Sequence, residues 1–163
     1  MPRSIFRSCI GYTQNNNTDY FVGEYAEALS DKYKLNMDYP IENGAVNNWD
    51  DIGKIWRHIF PNELCMDSEC HNVMLTILPQ SQKENIEKSG EIMFEKLNVK
   101  GLYMEYPSFL SLYTEEKYIG LSIDLGHTVT YFIPILEGKY INNNVTRFNV
   151  GGKDKNEFIK KLL

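Results

Sequence analysis

Residues 39–60 read Tyr39-Pro40-Ile41-Glu42-Asn43-Gly44-Ala45-Val46-Asn47-Asn48-Trp49-Asp50-Asp51-Ile52-Gly53-Lys54-Ile55-Trp56-Arg57-His58-Ile59-Phe60. The order of residue types is that of a turn feeding a capped amphipathic helix. Pro40 biases Tyr39 toward extended backbone, and Gly44 supplies a bend. Asn47 and Asn48 can each accept hydrogen bonds from the free N–H groups of a helix start. Asp50 and Asp51 suit the positive end of the helix dipole. Ile52, Ile55, Trp56, Ile59 and Phe60 then recur at the spacing of one buried helical face. Pro61 has no backbone donor and is expected to end the helix.

On the N-terminal side, Ser4 to Ile10 predicts a short strand, followed by a polar, asparagine-rich loop from Gly11 to Thr18. Asn15 to Asn17 read as a loop insert rather than a recognition surface. Tyr25 to Leu35 predicts helix and turn. On the C-terminal side, Leu64 to His71 reads as loop. Val73 to Leu78 is apolar, lies between Asn72 and Pro79, and predicts a strand buried on both faces. Ser81 to Leu97 predicts a helix with Ile86, Met93, Phe94 and Leu97 inward and Asn98 capping its end. Gly101 to Tyr106 predicts a second strand, and Phe109 to Tyr113 a short helix. From there the pattern changes. Ile119 to Leu125, Val129 to Leu136 and Val145 to Val150 predict an antiparallel meander with short turns. Gly151-Gly152 admits a last helix, from Lys153 to Leu163, with Phe158, Ile159, Leu162 and Leu163 on one face.

The chain has 163 residues and is 42% hydrophobic, enough for one domain with a core of useful size. A net charge of −5 without a basic run argues against direct nucleic-acid binding. Lys153, Lys155, Lys160 and Lys161 read as a solvated helix face. No apolar stretch approaches the length of a transmembrane helix, and neither a signal peptide nor a membrane role is expected. Three cysteines, an odd number, suggest reduced thiols and a cytosolic or nuclear setting. Cys65, Cys70 and His71 form C-x4-C-H. His58 and Cys9 do not complete it at finger-like spacing, so a thiol-containing loop is expected rather than a zinc site.

Residues 39–56 also resemble a segment of actins and actin-related proteins, Y-P-[IM]-E-x-G-x-V-x-N-W-D-D followed by x-x-x-[IL]-W. Further matches flank it. Pro2, Arg3, Phe6, Ser8 and Gly11 fit P-R-x-x-F-x-S-x-x-G. Asp19, Val22, Gly23, Glu24 and Ala26 follow D-x-x-V-G-D-E-A. Leu75, Thr76, Pro79, Asn85, Glu87, Lys88, Ile92, Met93, Phe94 and Glu95 continue the line, and Leu110 to Tyr113 match L-S-L-Y. On these residues the chain is identified as a member of the actin family. The Glu42-Asn43-Gly44 turn is closer to the actin-related subunit that helps nucleate branched filaments than to conventional actin.

The resemblance implies an α/β, actin-like ATPase (ribonuclease H-like) fold, represented by the end of its first βββαβαβα unit and the start of the second. Residues 1–117 would then be first-unit subdomains, with 11–38 a small outer subdomain carrying a shortened loop, and 118–163 would open the second unit. In that arrangement the strand at 4–10 lacks its family neighbours, and 73–78 exposes an apolar edge. A fragment is the expected explanation, ahead of a degenerate paralogue or a domain completed by a partner.

The resemblance also implies ATP with Mg2+, its phosphates clamped by backbone N–H groups of two hairpin loops. The family's second loop, D-S-G-D-G-V-T, corresponds to Asp124-Leu125-Gly126-His127-Thr128-Val129-Thr130. The implied nucleotide-binding residues are Asp124, Gly126, His127, Thr128 and Val129, with Asp124 facing the metal. Thr128 adds a Cβ where a glycine allowed close approach. His127 replaces a carboxylate, though a neutral His can still hydrogen-bond a phosphate. A plain hairpin turn is the alternative. The family's water-orienting Gln falls at Pro107, which has no polar side-chain group, so efficient hydrolysis and a catalytic residue are not expected. His58 and His71 have no nucleophile at useful spacing, and Glu105 and Asp124 form no evident acid–base pair.

The implied function is a cytoskeletal, structural actin-related protein with weakened or partial ATP binding. Its implied partners are other actin-fold subunits or actin-binding proteins, in the cytoplasm and cytoskeleton or the nucleus. Two alternatives stand beside it: an ATPase completed by further segments, and a nuclear actin-like interaction subunit. The short loop at 11–18 favours a non-polymerising relative.

Overall fold

In the computed structural model of the chain, residues 2–14 and 16–163 are described; Asn15, within the expected insert, lies outside them. The chain forms two compact units, Met1–Val73 with Glu87–Gly101, and Met74–Ile86 with Leu102–Leu163.

The first unit begins with a hairpin, β1 (Ile10–Thr13) and β2 (Asn16–Val22), followed by α1 (Glu24–Tyr33) and β3 (Asn36–Asp38). The sheet order is β2-β1-β3, antiparallel throughout, with Ile10 opposite Val22 on one side and Asp38 on the other. Two expectations are corrected here. Residues 4–9 form no strand: the Cys9 N–H turns back to the Arg7 carbonyl (2.9 Å), Ser4 hydrogen-bonds Glu63, and Phe6 packs against the core of Ile10, Val22 and Ile55. The strand runs instead over Ile10–Thr13, meeting the expected strand only at Ile10 and otherwise inside the stretch expected to be loop. Tyr12 and Thr13 favour strand, and the polar residues after them hid the pairing.

The turn before the main helix is a short hairpin, β4 (Ile41–Glu42) and β5 (Ala45–Val46). Asn43 and Gly44 carry φ of 50° and 76°, as the tight hairpin turn written by an Asn-Gly pair requires. Helix α2 (Trp49–His58) follows. Asn48 caps it, its side chain accepting from the Asp51 N–H at 3.2 Å. Ile52, Ile55 and Phe60 are buried as expected, and Trp56 and Ile59 half-buried.

Pro61 does not end the helix, contrary to expectation. The chain widens into a π-helical turn over Ile59–Leu64 and stops at Cys65, which is left-handed (φ 52°). The missing Pro61 donor is tolerated because other groups serve the turn. The Asn62 amide donates to the His58 carbonyl (3.1 Å), and the Met66 N–H reaches the Phe60 carbonyl (2.9 Å).

Strands β6 (Asn72–Thr76) and β7 (Gly101–Glu105) pair as a two-stranded sheet; between them run α3 (Lys83–Glu91) and a π-helical turn, Ile92–Lys96. β6 is not buried on both faces as expected: its residues alternate between exposed and half-buried, and Met74 is exposed. In the second helix Met93 and Leu97 are buried, but Ile92 takes the inward place expected of Phe94, because the π turn shifts the register. Asn98 is left-handed (φ 52°), and the Val99 N–H closes the end on the Met93 carbonyl.

The second unit holds α4 (Pro107–Thr114) and a meander of β8 (Gly120–Leu125), β9 (Thr130–Leu136), β10 (Lys139–Tyr140) and β11 (Thr146–Phe148), then α5 (Gly152–Leu162). β9 is central. β8 lies along its whole length, Gly120 opposite Ile135 through Leu125 opposite Thr130, while β10 and β11 share its other side. The core is Val129, Tyr131, Ile133, Ile135 and Val145, packed by Leu78, Phe109, Leu112 and Tyr140. The opposite face is bare: Leu121, Ile123, Leu125 and Phe148 are exposed. On α5, Phe158, Ile159 and Leu162 are exposed too, so its expected apolar face is covered by none of the described residues.

Candidate functional site

The residues 124–129 sit at the β8–β9 turn, and the pairing of Leu125 with Thr130 brings them together in one hairpin. The Gly126 N–H donates to the Val129 carbonyl at 3.0 Å, closing the turn. Two carbonyls of the turn are then taken by the start of α5. Gly152 N–H donates to Gly126 O (3.0 Å), and Lys153 N–H to His127 O (2.8 Å). The Asp154 carboxylate accepts the Gly151 N–H at 2.8 Å, and Thr130 Oγ1 donates to the Val150 carbonyl at 2.7 Å.

This clamp depends on Gly151. A Cβ there would strike the His127 carbonyl group and stand 2.6 Å from the Thr128 nitrogen. The N–H groups that open α5 are therefore spent on the protein itself, and its positive dipole end faces loop carbonyls. The backbone N–H groups of His127, Thr128 and Val129 are different: among the described residues no hydrogen bond takes them up. Successive unpaired N–H groups in a turn can receive the oxygens of an anion.

The side chains contribute unequally. Asp124 is half-buried opposite Tyr131 and engages no hydrogen bond or ion pair among the described residues, so its carboxylate could order the water of a bound cation. His127 is exposed, Thr128 half-buried, and Val129 buried in the core at 7% exposure. Val129 can thus offer a ligand only its backbone. The three N–H groups and the Asp124 carboxylate are the groups of this hairpin that could meet a magnesium–phosphate group, and Thr128 carries a side chain at the approach.

Pro107 is the first residue of α4 and follows an extended Tyr106, a comfortable place for a residue without N–H. The histidines hold loops: His58 meets Glu63 at 3.3 Å and Asn62 at 3.2 Å, and His71 Nδ1 donates to the Asp67 carbonyl at 2.7 Å. Glu105 accepts from the Tyr103 hydroxyl (2.7 Å) and the Tyr106 N–H (2.9 Å). Cys65 and Cys70 are exposed free thiols, and no group of three or more His, Cys, Asp or Glu among the described residues is placed to hold a metal.

Sequence reasoning passed over one polar cluster, at the start of α2. The Tyr12 hydroxyl donates to Asp51 Oδ1, and Lys54 Nζ lies 2.6 Å from the Tyr12 oxygen and 3.0 Å from Asp51 Oδ1. Asp51 is 2% exposed. Burial, then the hydrogen bond to Asp51, pushes the Tyr12 hydroxyl above its ordinary pKa. Burial works against the Lys54 ammonium, but Tyr12 and Asp51 outweigh it and hold that pKa up as well. The i, i+3 spacing of Asp51 and Lys54 was visible; the burial that gives it weight was not.

The family model described as Actin matches the chain over residues 1–163.

Proposed function

Since the chain belongs to the actin family, we propose that it serves as an actin-related structural subunit of cytoskeletal assemblies, with a nucleotide site that binds weakly or in part and does not hydrolyse efficiently. Its several sheets and the five α-helices among the described residues are consistent with part of an actin-like α/β fold. Members of the family generally bind ATP with a divalent metal. The observation that carries the reading is the β8–β9 hairpin, where three adjacent N–H groups and the Asp124 carboxylate are unengaged among the described residues. Bound there, a magnesium nucleotide would bring phosphate oxygens for these N–H groups and a cation for Asp124. His127 and Thr128 weaken the cradle, and Pro107 offers nothing to orient an attacking water.

The Glu42-Asn43-Gly44 turn supports assigning the chain to the actin-related subunit of the branched-filament nucleator, and family membership supports other actin-fold subunits or actin-binding proteins as its partners. No helix among the described residues is long and apolar enough to cross a membrane.

The test is equilibrium binding of a fluorescent ATP analogue with magnesium, beside single-turnover phosphate release at saturating ATP. The expected result is weak binding abolished by Asp124→Ala, with no phosphate release above background. Release at saturating ATP would replace this reading with an ATPase. Binding unchanged in Asp124→Ala would move the nucleotide elsewhere.

A further inference from the structure

We propose that Gly151 and Asp154, at the start of α5, are positioning residues for the β8–β9 hairpin: through the clamp they aim the His127 and Thr128 N–H groups at a bound phosphate and make them stronger donors. The inference rests on the nucleotide reading above and adds to it two residues that act only through the turn.

The aim follows from peptide geometry. Every peptide bond among the described residues is trans. A trans peptide is planar and carries its C=O and the next residue's N–H on opposite sides. The Gly126 carbonyl and the His127 N–H belong to one such unit, and the His127 carbonyl and the Thr128 N–H to the next. Both carbonyls are held by α5, the first by the Gly152 N–H at 3.0 Å and the second by the Lys153 N–H at 2.8 Å. Both turn N–H groups therefore point away from the helix, where no described residue takes them up. Rotation of either peptide plane breaks a hydrogen bond to α5.

Gly151 and Asp154 set this arrangement. The Asp154 carboxylate accepts the Gly151 N–H at 2.8 Å, and the Thr130 hydroxyl donates to the preceding Val150 carbonyl at 2.7 Å, which together fix the chain where it enters the helix. Gly151 has no side chain to hold that entry off the His127–Thr128 peptide.

The same arrangement strengthens the donors. A carbonyl that accepts a hydrogen bond polarises its peptide unit, and the N–H of that unit becomes a better donor, by roughly 10–30% per bond along such a chain. The groups bonding to these carbonyls are the first N–H groups of an 11-residue helix, the positive end of its dipole. That potential reaches a bound phosphate through two peptide units. The coupling is reciprocal: an anion held by His127 and Thr128 tightens the hydrogen bonds of Gly152 and Lys153.

The experiment titrates the full chain with ATP and magnesium, follows the backbone amide signals of residues 126–129 by two-dimensional NMR, and measures amide hydrogen exchange at Gly152 and Lys153. The variants are Asp154→Ala, the conservative Asp154→Glu, and Gly151→Ala. The expected result is saturable shifts at His127 and Thr128, with exchange at Gly152 and Lys153 slowed at least threefold beyond any change in the β1–β2 hairpin. Asp154→Ala should bind at least fivefold more weakly with its thermal midpoint within a few degrees, and Gly151→Ala more weakly still. Asp154→Glu, whose carboxylate suits the same capping position, should bind within about twofold of the parent. Loss of a carboxylate beside an anion site would by charge alone tighten binding, so weaker binding in Asp154→Ala separates positioning from simple electrostatics. Absence of shifts at His127 and Thr128 in the parent protein would overturn the nucleotide reading and this one with it. Shifts there with unchanged affinity in Asp154→Ala, with an equal loss in Asp154→Glu, or with unchanged exchange at Gly152 and Lys153 would overturn the positioning role alone.

Discussion

Single residues set the sharpest constraints in the second unit. Gly151 has an ordinary extended φ of −146°, so its requirement is steric rather than conformational. Gly151→Ala places a methyl group against the His127 backbone and should cost about 1–3 kcal/mol by denaturant unfolding, the usual range for overpacking. Tyr106 gives a pH signature. Burial, then the 2.8 Å contact with the Tyr140 hydroxyl, pushes its pKa up to about 12. The fold therefore favours the protonated phenol. That stabilisation is whole below pH 10 and is lost as pH climbs from 10 through about 12. Unfolding midpoints across that window should fall, and fall less steeply in Tyr106→Phe. What the sequence disclosed at this scale was whatever depends on near neighbours. Asn48 as a cap and Asn98 as a helix end are local choices, and both stand. Asp51 read only as a charge suited to the helix dipole. It is buried and accepts from Tyr12, 39 positions away, which no local pattern reports.

At the scale of elements, helix α2 rests on its cap and its inward face. Asn48→Ala should destabilise the protein by about 1 kcal/mol, with Asn48→Asp also costly because it sets a second carboxylate against Asp38, in equilibrium unfolding. Helix α5 is the contrast. Phe158 is 63% exposed, so Phe158→Ser should change stability by no more than about 0.5 kcal/mol. Most elements were legible from hydrophobic period and turn residues, α2 and the β8–β9–β11 meander above all. The misses share a cause: a rule about one residue was overruled by a partner elsewhere. Pro61 should stop a helix, yet the Asn62 side chain and a wider turn carry it on to Leu64. The polar run after Gly11 suggested loop, yet Tyr12 pairs with Tyr20 across a hairpin.

At the scale of the molecule, one core among the described residues gathers around Ile10, Val22 and Ile55 and another around β9. The outer face of β8 belongs to neither. Leu121, Ile123 and Leu125 form an exposed apolar row, a surface prone to association. Leu121→Lys with Ile123→Lys should reduce concentration-dependent light scattering without lowering the thermal midpoint. The family resemblance made the overall class readable from 163 residues, because its motifs are spread along the chain. The candidate site was readable as a list of residues but not as a mechanism, since the clamp between the turn and α5 is made by backbone groups that every sequence possesses. That clamp has a mechanical consequence. Two hydrogen bonds and a glycine contact tie the 126–129 turn to the first residues of α5, so neither can shift without the other. The helix is 11 residues long, so a displacement of the turn would be carried roughly 16 Å along it to the end bearing Lys160 and Lys161.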